Sequence, residues 1–304
     1  NVNDSPVGDV TISGTVTEDE TLTAVTSAIS DEDGLGSFSY QWARDGTDIG
    51  SATSSTYLLG DDDVGAVMTV TVSYTDGQTT AESLTSAGTA AVVNVNDSPA
   101  GVPTISGTTQ EGSDLTADAS GISDDDGLGT FTYQWARGGT DISGATSATH
   151  TLVQADVGAV MTVIVSYEDG EGTTESVTSA ATVAIGNGND SPTGSAVITG
   201  TPTEDETLTA DTSTIADDDG LGAFSYQWAS GGTDISGATS STYTLTQSEV
   251  GSTITVIVSY TDGYGEEESL TSAATTPVAN VNDSPVGDVT ISGTVTEDET
   301  LTAV

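Results

Sequence analysis

Carboxylates are the chemically versatile groups of this sequence, and they stand at fixed places. Glu18, Glu111 and Glu204 recur at an interval of 93 residues, and so do Asp63, Asp156 and Glu249. The same interval relates Asp31 and Asp33 to Asp124 and Asp126 and to Asp217 and Asp219, and it relates Asp76 to Asp169 and Asp262. An Asn-Asp-Ser-Pro tetrapeptide adds Asn3 and Asp4, Asn96 and Asp97, Asn189 and Asp190, and Asn282 and Asp283. Paired carboxylates can serve as the acid and base of a glycosidase, or they can hold a divalent cation. Here they lie in small turns with no insertion long enough to form a pocket, which disfavours hydrolysis. Nucleophilic catalysis also lacks its parts. There is no Cys, His150 is the one histidine, and Arg44 and Arg137 are the only basic residues, so the many Ser and Thr hydroxyls have no base in the usual arrangements. The sequence is therefore read as that of a protein that is not an enzyme. His150 stands where Tyr57 and Tyr243 stand and is expected to be an exposed strand residue; Arg44 and Arg137 give way to Ser230, which argues against an essential role.

The charge balance limits partners. Against 2 Lys and Arg there are 47 Asp and Glu, a formal net charge of −45. Such a surface repels nucleic acid and anionic lipid. Sequence with so much acid can be disordered, but runs of Val, Ile, Thr and Tyr between turn residues argue for folded β structure. No apolar stretch of about 18 residues is present to span a membrane, and no signal peptide is visible. The chain is expected to need cations, either as a screening atmosphere or as bound ions.

The elements that must position the acids follow from the repeat. Trp42, Trp135 and Trp228 keep the same interval of 93 residues, and residues 280–304 reproduce residues 1–25 letter for letter. The reading is a window on a longer array, with repeats at 1–97, 98–190 and 191–283 and a partial fourth repeat at 284–304 that holds only the first two strands. A period of this length suffices for one core without staples. In repeat 1, Gly, Asp and Pro punctuation leaves strands at 10–13, 21–26, 38–43, 56–59, 67–74 and 83–93, with a short extra piece near Ile49. Val70 and Val72 alternate with Thr69, Thr71 and Ser73, so that one face points inward and a hydroxyl face outward. Asp48, Asp141 and Asp234 are read as formers of a side hairpin.

Tyr40, Gln41 and Trp42, the Gly46–Ile49 turn, and Asp63, Val64 and Gly65 ahead of Met68–Tyr74 together resemble an immunoglobulin-like domain with its buried Trp. The resemblance implies an all-β fold, a tandem array of immunoglobulin-like β-sandwich domains with a 93-residue period, although aliphatic and hydroxyl residues stand where antibody domains place a disulfide. The pattern also resembles the calcium-dependent extender repeats of giant bacterial surface adhesins, the type I secreted, RTX-type proteins. The Asn-Asp-Ser-Pro linker with its downstream Asp-x-Asp resembles the cadherin calcium linker, with Ser in place of a second Asn.

In an immunoglobulin topology the turns bearing Glu18 and Asp63 lie at the end where the chain leaves, and the loops bearing Asp31, Asp33 and Asp76 lie where it arrives. Stacked head to tail, the first junction would gather Glu18, Asp63, Asn96, Asp97, Asp124, Asp126 and Asp169, a set that suits the six to eight oxygens taken by Ca²⁺. Glu111, Asp156, Asn189, Asp190, Asp217, Asp219 and Asp262 are the expected set at the second junction. Asn3, Asp4, Asp31, Asp33 and Asp76 would serve the start of the chain, and Glu204, Glu249, Asn282 and Asp283 its end. The partners expected are calcium ions, neighbouring repeats and identical chains in a filament, with no nucleic acid and no membrane insertion. The function read from this is a calcium-rigidified spacer at a bacterial surface or outside the cell. Lateral assembly into a filament or sheath, and weak binding of sugar, mineral or ice, are the alternatives.

Overall fold

The computed structural model describes residues 2–304 and divides into two compact units, Asn1–Gly186 and Asn187–Val304. In repeat 1 the strands are β1 (Thr11–Ser13), β2 (Thr21–Val25), β3 (Ser39–Arg44), β4 (Thr47–Asp48), β5 (Thr56–Leu58), β6 (Met68–Thr75) and β7 (Ala81–Thr85). They form two antiparallel sheets, one ordered β1-β2-β5 and the other β4-β3-β6-β7. Two facing sheets of this order make an immunoglobulin-like sandwich.

β6 shows why the sequence folds this way. Met68, Val70, Val72 and Tyr74 are buried and the residues between them are not, which is the two-residue period of a strand covered on one face. Opposite lies β3, in register Trp42 with Val70 and Tyr40 with Val72. The Trp42 ring is fully buried among Leu22, Leu59, Met68 and Val70. Its Nε1 donates to the Ser54 carbonyl at 3.0 Å, which satisfies the one polar atom the core must take in.

The last strand is shorter than the sequence suggests. β7 stops at Thr85, because hydroxyl side chains beyond it take over the ladder. Ser86 Oγ accepts from the Val70 amide and Thr89 Oγ1 from the Met68 amide, each at 3.0 Å. These side-chain bonds replace one half of the strand pairing, while the Ser86 and Thr89 amides still donate to the Val70 and Met68 carbonyls at 2.9 and 3.0 Å. The chain then returns to the other sheet through parallel bridges of Val92 with Val64 and Val93 with Thr17.

Within the same unit, repeat 2 repeats the plan with β8 (Thr104–Gly107), β9 (Asp114–Asp118), β10 (Thr132–Arg137), β11 (Thr140–Asp141), β12 (Thr149–Thr151), β13 (Met161–Glu168) and β14 (Thr174–Thr178). Its sheets are β8-β9-β12 and β11-β10-β13-β14. The second unit carries β15 (Val197–Thr199), β16 (Thr207–Asp211), β17 (Ser225–Ser230), β18 (Thr233–Asp234), β19 (Thr242–Thr244), β20 (Ile254–Thr261) and β21 (Glu267–Thr271) in the same two-sheet order. Beyond them, β22 (Ile291–Ser292) pairs with β23 (Thr302–Ala303). Among the described residues no helix is long and apolar enough to cross a membrane.

One expectation is corrected here. His150 is not an exposed strand residue; its side chain is 12% exposed, it stacks on Trp135 with ring centres 5.7 Å apart, and its Nε2 lies 3.1 Å from Asp156 Oδ2. Tyr57 stacks on Trp42 at 5.8 Å in the same way. The position lies over the core Trp, and any planar ring that can reach the corner carboxylate satisfies it.

Candidate metal centre

The turn between β1 and β2 sets Glu18. Its amide donates to the Val93 carbonyl at 2.9 Å, and Asp19 takes a left-handed φ of 60°, which reverses the chain and turns the Glu18 side chain inward. The same place is held by Gly112 at φ 75° and Asp205 at φ 62°, residue types that tolerate this conformation. Glu18 is 1% exposed. Its Oε2 accepts from the Val95 amide at 3.1 Å, but Oε1 is buried with no hydrogen-bond partner. A buried carboxylate oxygen without a donor is costly, so something must compensate it.

Asp61 and Asp97 supply the setting. Oxygens of Glu18, Asp61 and Asp97 lie within 4.8 Å of one another. Burial, contact with the Asp61 carboxyl and the charges of Asp61 and Asp97 push Glu18 up to about 7 from 4.5, against the opposing pull of the Val95 amide. Burial and the charges of Asp126, Asp61, Asp125 and Asp19 likewise hold Asp97 above the usual carboxylate range. A carboxyl whose folded pKa is raised favours folding while protonated. That contribution is complete below 4.5 and is lost as pH rises through about 7. In chelator, melts of the native chain should therefore lose stability between pH 5 and pH 8 relative to the Glu18→Gln variant; parallel profiles would contradict this placement of Glu18.

The corner turn separates two acids that lie close in sequence. Asp61–Asp63 form a single 3-10 turn. Asp63 points inward, where Oδ1 accepts from Arg44 Nε at 2.7 Å and Oδ2 accepts from the Tyr57 hydroxyl at 3.0 Å and the Gly60 amide at 3.1 Å. Both its oxygens are taken, so Asp63 does not join Glu18, whereas Asp61 does. Asp156 is held likewise by Arg137 at 2.6 Å, His150 and the Val153 amide at 3.0 Å. Burial opposes the Asp156 charge, but the Val153 amide, Arg137 and His150 outweigh it and keep this carboxyl below its ordinary range. Glu249, with Ser230 in place of Arg, accepts instead from the Thr246 amide and hydroxyl, both at 2.8 Å. These three acids close their own corners. Arg44 and Arg137 thus have a defined structural task that the sequence reading did not assign to them.

The linker is tied to the repeat that follows it. The Asp97 amide donates to Asp126 Oδ2 at 2.7 Å, and Asn96 Nδ2 donates to Glu175 Oε1 at 2.8 Å. Asp4 and Asn3 do the same with Asp33 and Glu82, each at 2.8 Å. In the second unit Asp190 bonds Asp219 at 2.7 Å and Asn189 bonds Glu268 at 2.9 Å. Asp31, Asp124 and Asp217 brace their loops, each accepting the hydroxyl of the strand-end tyrosine (Tyr74, Tyr167, Tyr260) on one oxygen and the amide of the second following residue on the other. Burial and the facing carboxylate raise the pKa of all three tyrosines. Gly36 is required behind this brace, since a Cβ there would fall 2.1 Å from the Thr75 carbonyl oxygen.

Asp76, Asp169 and Asp262 each spend Oδ1 on amides of their own loop, at 2.6 to 3.0 Å. In all three, Oδ2 is buried with no hydrogen-bond partner. Among the remaining expected positions, the Glu111 amide bonds the Gly186 carbonyl at 3.0 Å, Glu204 Oε2 accepts from the Val281 amide at 2.9 Å, and Asn282 and Asp283 are exposed. The structure thus brings Glu18 and Asp97 together and adds Asp61. Asp61 was missed because only its position on the turn, and no recurrence, marks it.

No protein-family model matches this chain, and no curated protein matches it. Solved structures that it resembles include domains A168–A170 of titin, at 14% identity over 91% of this chain and 100% of that one, with a TM-score of 0.28. A Ca²⁺-stabilized adhesin with which an Antarctic bacterium binds ice is 12% identical over 96% of this chain and 78% of that one, with a TM-score of 0.32. The D1–D4 ectodomain fragment of ICAM-5 is 14% identical over 85% of this chain and 71% of that one, with a TM-score of 0.40. At these identities and TM-scores, none of the likenesses bears on function.

Proposed function

We propose that this chain is a structural spacer outside the cell, at a bacterial surface, whose repeats are stiffened by calcium at their junctions. The repeats at 1–97, 98–190 and 191–283, with the partial one at 284–304, are its beads. One observation carries the reading: where repeat 1 meets the linker to repeat 2, Glu18 keeps a buried oxygen without a donor beside two more carboxylates. A hydrogen-bond donor would satisfy such an oxygen in an ordinary turn.

The residues fit a calcium ion. All three donors are carboxylate oxygens, the hard ligands this cation takes, and those of Glu18, Asp61 and Asp97 all lie within 4.8 Å of one another, inside the roughly 5.2 Å that is the widest separation of two oxygens on one Ca²⁺ ion. Bound there, calcium would neutralise the repulsion among them. Glu18 belongs to the turn before β2, Asp61 to the corner before β6, and Asp97 to the linker fixed on Asp126. An ion held by all three joins two elements of repeat 1 to the linker and, through it, to repeat 2.

Extracellular modules bind calcium near 10⁻⁴ to 10⁻³ M, so these sites would fill outside a cell and stay empty in the cytosol. Thermal melting in calcium against chelator, at equal ionic strength, tests the reading. At a hundredfold excess over Kd each site should add about 2.7 kcal/mol, and magnesium should do less because it accepts only a tighter octahedron. Coincident melts in calcium and chelator would contradict it.

A further inference from the structure

The corner that carries Asp61 is not chemically the same in every repeat. At the 93-residue interval Asp61 is followed by Gln154 and Gln247, while Glu18 is followed by Glu111 and Glu204 and Asp97 by Asp190 and Asp283. The backbone does not change with the residue. Asp61–Asp63, Gln154–Asp156 and Gln247–Glu249 each form a single 3-10 turn, and in each the third residue is the buried corner acid. Asp61 therefore differs from its counterparts in charge on a fixed frame.

The consequence is visible by comparing repeats 1 and 3, each within its own unit. At the end of repeat 1, Glu18 has a linker amide on one oxygen and faces the exposed Asp61 carboxylate beside the other. At the end of repeat 3, Glu204 keeps the corresponding amide bond from Val281, but Gln247 directs its Nε2 to Asn280 Oδ1 at 3.4 Å. An amide can lend a carbonyl oxygen to a cation, yet it brings no charge and its nitrogen competes for other partners. The number of charged ligands is a main determinant of calcium affinity in sites of oxygen donors. The buried unpartnered Oε1 of Glu18 is an independent sign that the repeat 1 site is built to receive a cation.

We propose that the trailing end of repeat 1 holds calcium more tightly than the trailing end of repeat 3, which carries Gln247, so that calcium fills the sites of one chain in steps. Asp61 and its counterpart Gln247 set the order. This rests on the calcium reading above and deepens it. A chain with graded sites responds over a wider span of calcium than one with equal sites, and the part that includes repeat 1 is fixed first as calcium rises.

Calorimetric titration of the whole 304-residue chain with calcium chloride, after chelator treatment and at constant ionic strength, is the test. The native chain should show an early phase at about tenfold lower calcium than the remaining phases. Asp61→Gln should remove the early phase and leave the later ones, and Gln247→Asp should enlarge the early phase. The first variant keeps its fold, because Asp61 is exposed and Gln occupies the same turn in repeats 2 and 3; circular dichroism checks this. An early phase that persists in Asp61→Gln, or a single phase in the native chain that the variant leaves in place, would overturn the graded order while leaving the calcium sites standing. No calcium uptake by any of the three chains would overturn the order and the calcium reading together.

Discussion

Replacing Trp135 by Ala is expected to remove about 3 to 5 kcal/mol from the second repeat, enough to unfold it under conditions where the second unit stays intact. Trp135 is fully buried and packs with Leu115, Leu152, Met161, Val163 and Ile185. Two of these, Leu152 and Ile185, lie at the start of the corner and in the return segment, so the cavity would open beneath both. The loss also strands the Ser147 carbonyl, which accepts Trp135 Nε1 at 2.9 Å, and removes the ring on which His150 stacks. His150 would then keep Asp156 without support from the core. In a linear array, stability is roughly a local contribution plus contributions from adjacent repeats, so repeats 1 and 3 should each weaken far less than repeat 2. Hydrogen exchange resolved by peptide is the measurement. Equal loss of protection in all three repeats would contradict independent cores.

The fold was legible because strands announce themselves by period. In β6 the order Met68, Val70, Val72 and Tyr74 fixes both the buried face and the register against Trp42, and no competing helical stripe exists. The end of β7 was not legible, since Ser86 and Thr89 have side chains that fit a strand as well as a strand-breaking bond; only the nearness of the Val70 and Met68 amides decides.

The site was legible in part, for an instructive reason. Recurrence marks residues that every repeat needs, and every repeat needs a buried acid to close its corner. It therefore pointed to Asp63, Asp156 and Glu249, whose oxygens are engaged within their own repeats. Asp61 stands two residues earlier on the same turn and faces Glu18. In Asp61-Asp62-Asp63 the three letters are identical, and only the rotation of the turn separates a buried structural acid from an exposed one beside the linker. His150 was misread for a related cause: the exposure expected of a lone polar residue in a strand gave way to a Trp ring beneath it and a carboxylate at its edge.

The second large effect concerns motion between repeats 1 and 2. Metal-free, the junction sets Glu18, Asp61 and Asp97 against one another, and the linker between Val93 and Asn96 is short enough that any slack must appear at these acids. Calcium should remove the repulsion and restrict that slack. The chain has no Cys, so two introduced cysteines would be the only sites for a spin label. Thr53→Cys and Thr146→Cys place labels at corresponding exposed positions of the two repeats. Pulsed electron resonance would then read the distribution of distances between them. The account predicts a broad distribution in chelator that narrows markedly in millimolar calcium, and a distribution that stays broad in calcium when Glu18→Gln and Asp97→Asn are combined. The same width in calcium and in chelator for the native chain would contradict the claim that these carboxylates clamp a cation between repeats.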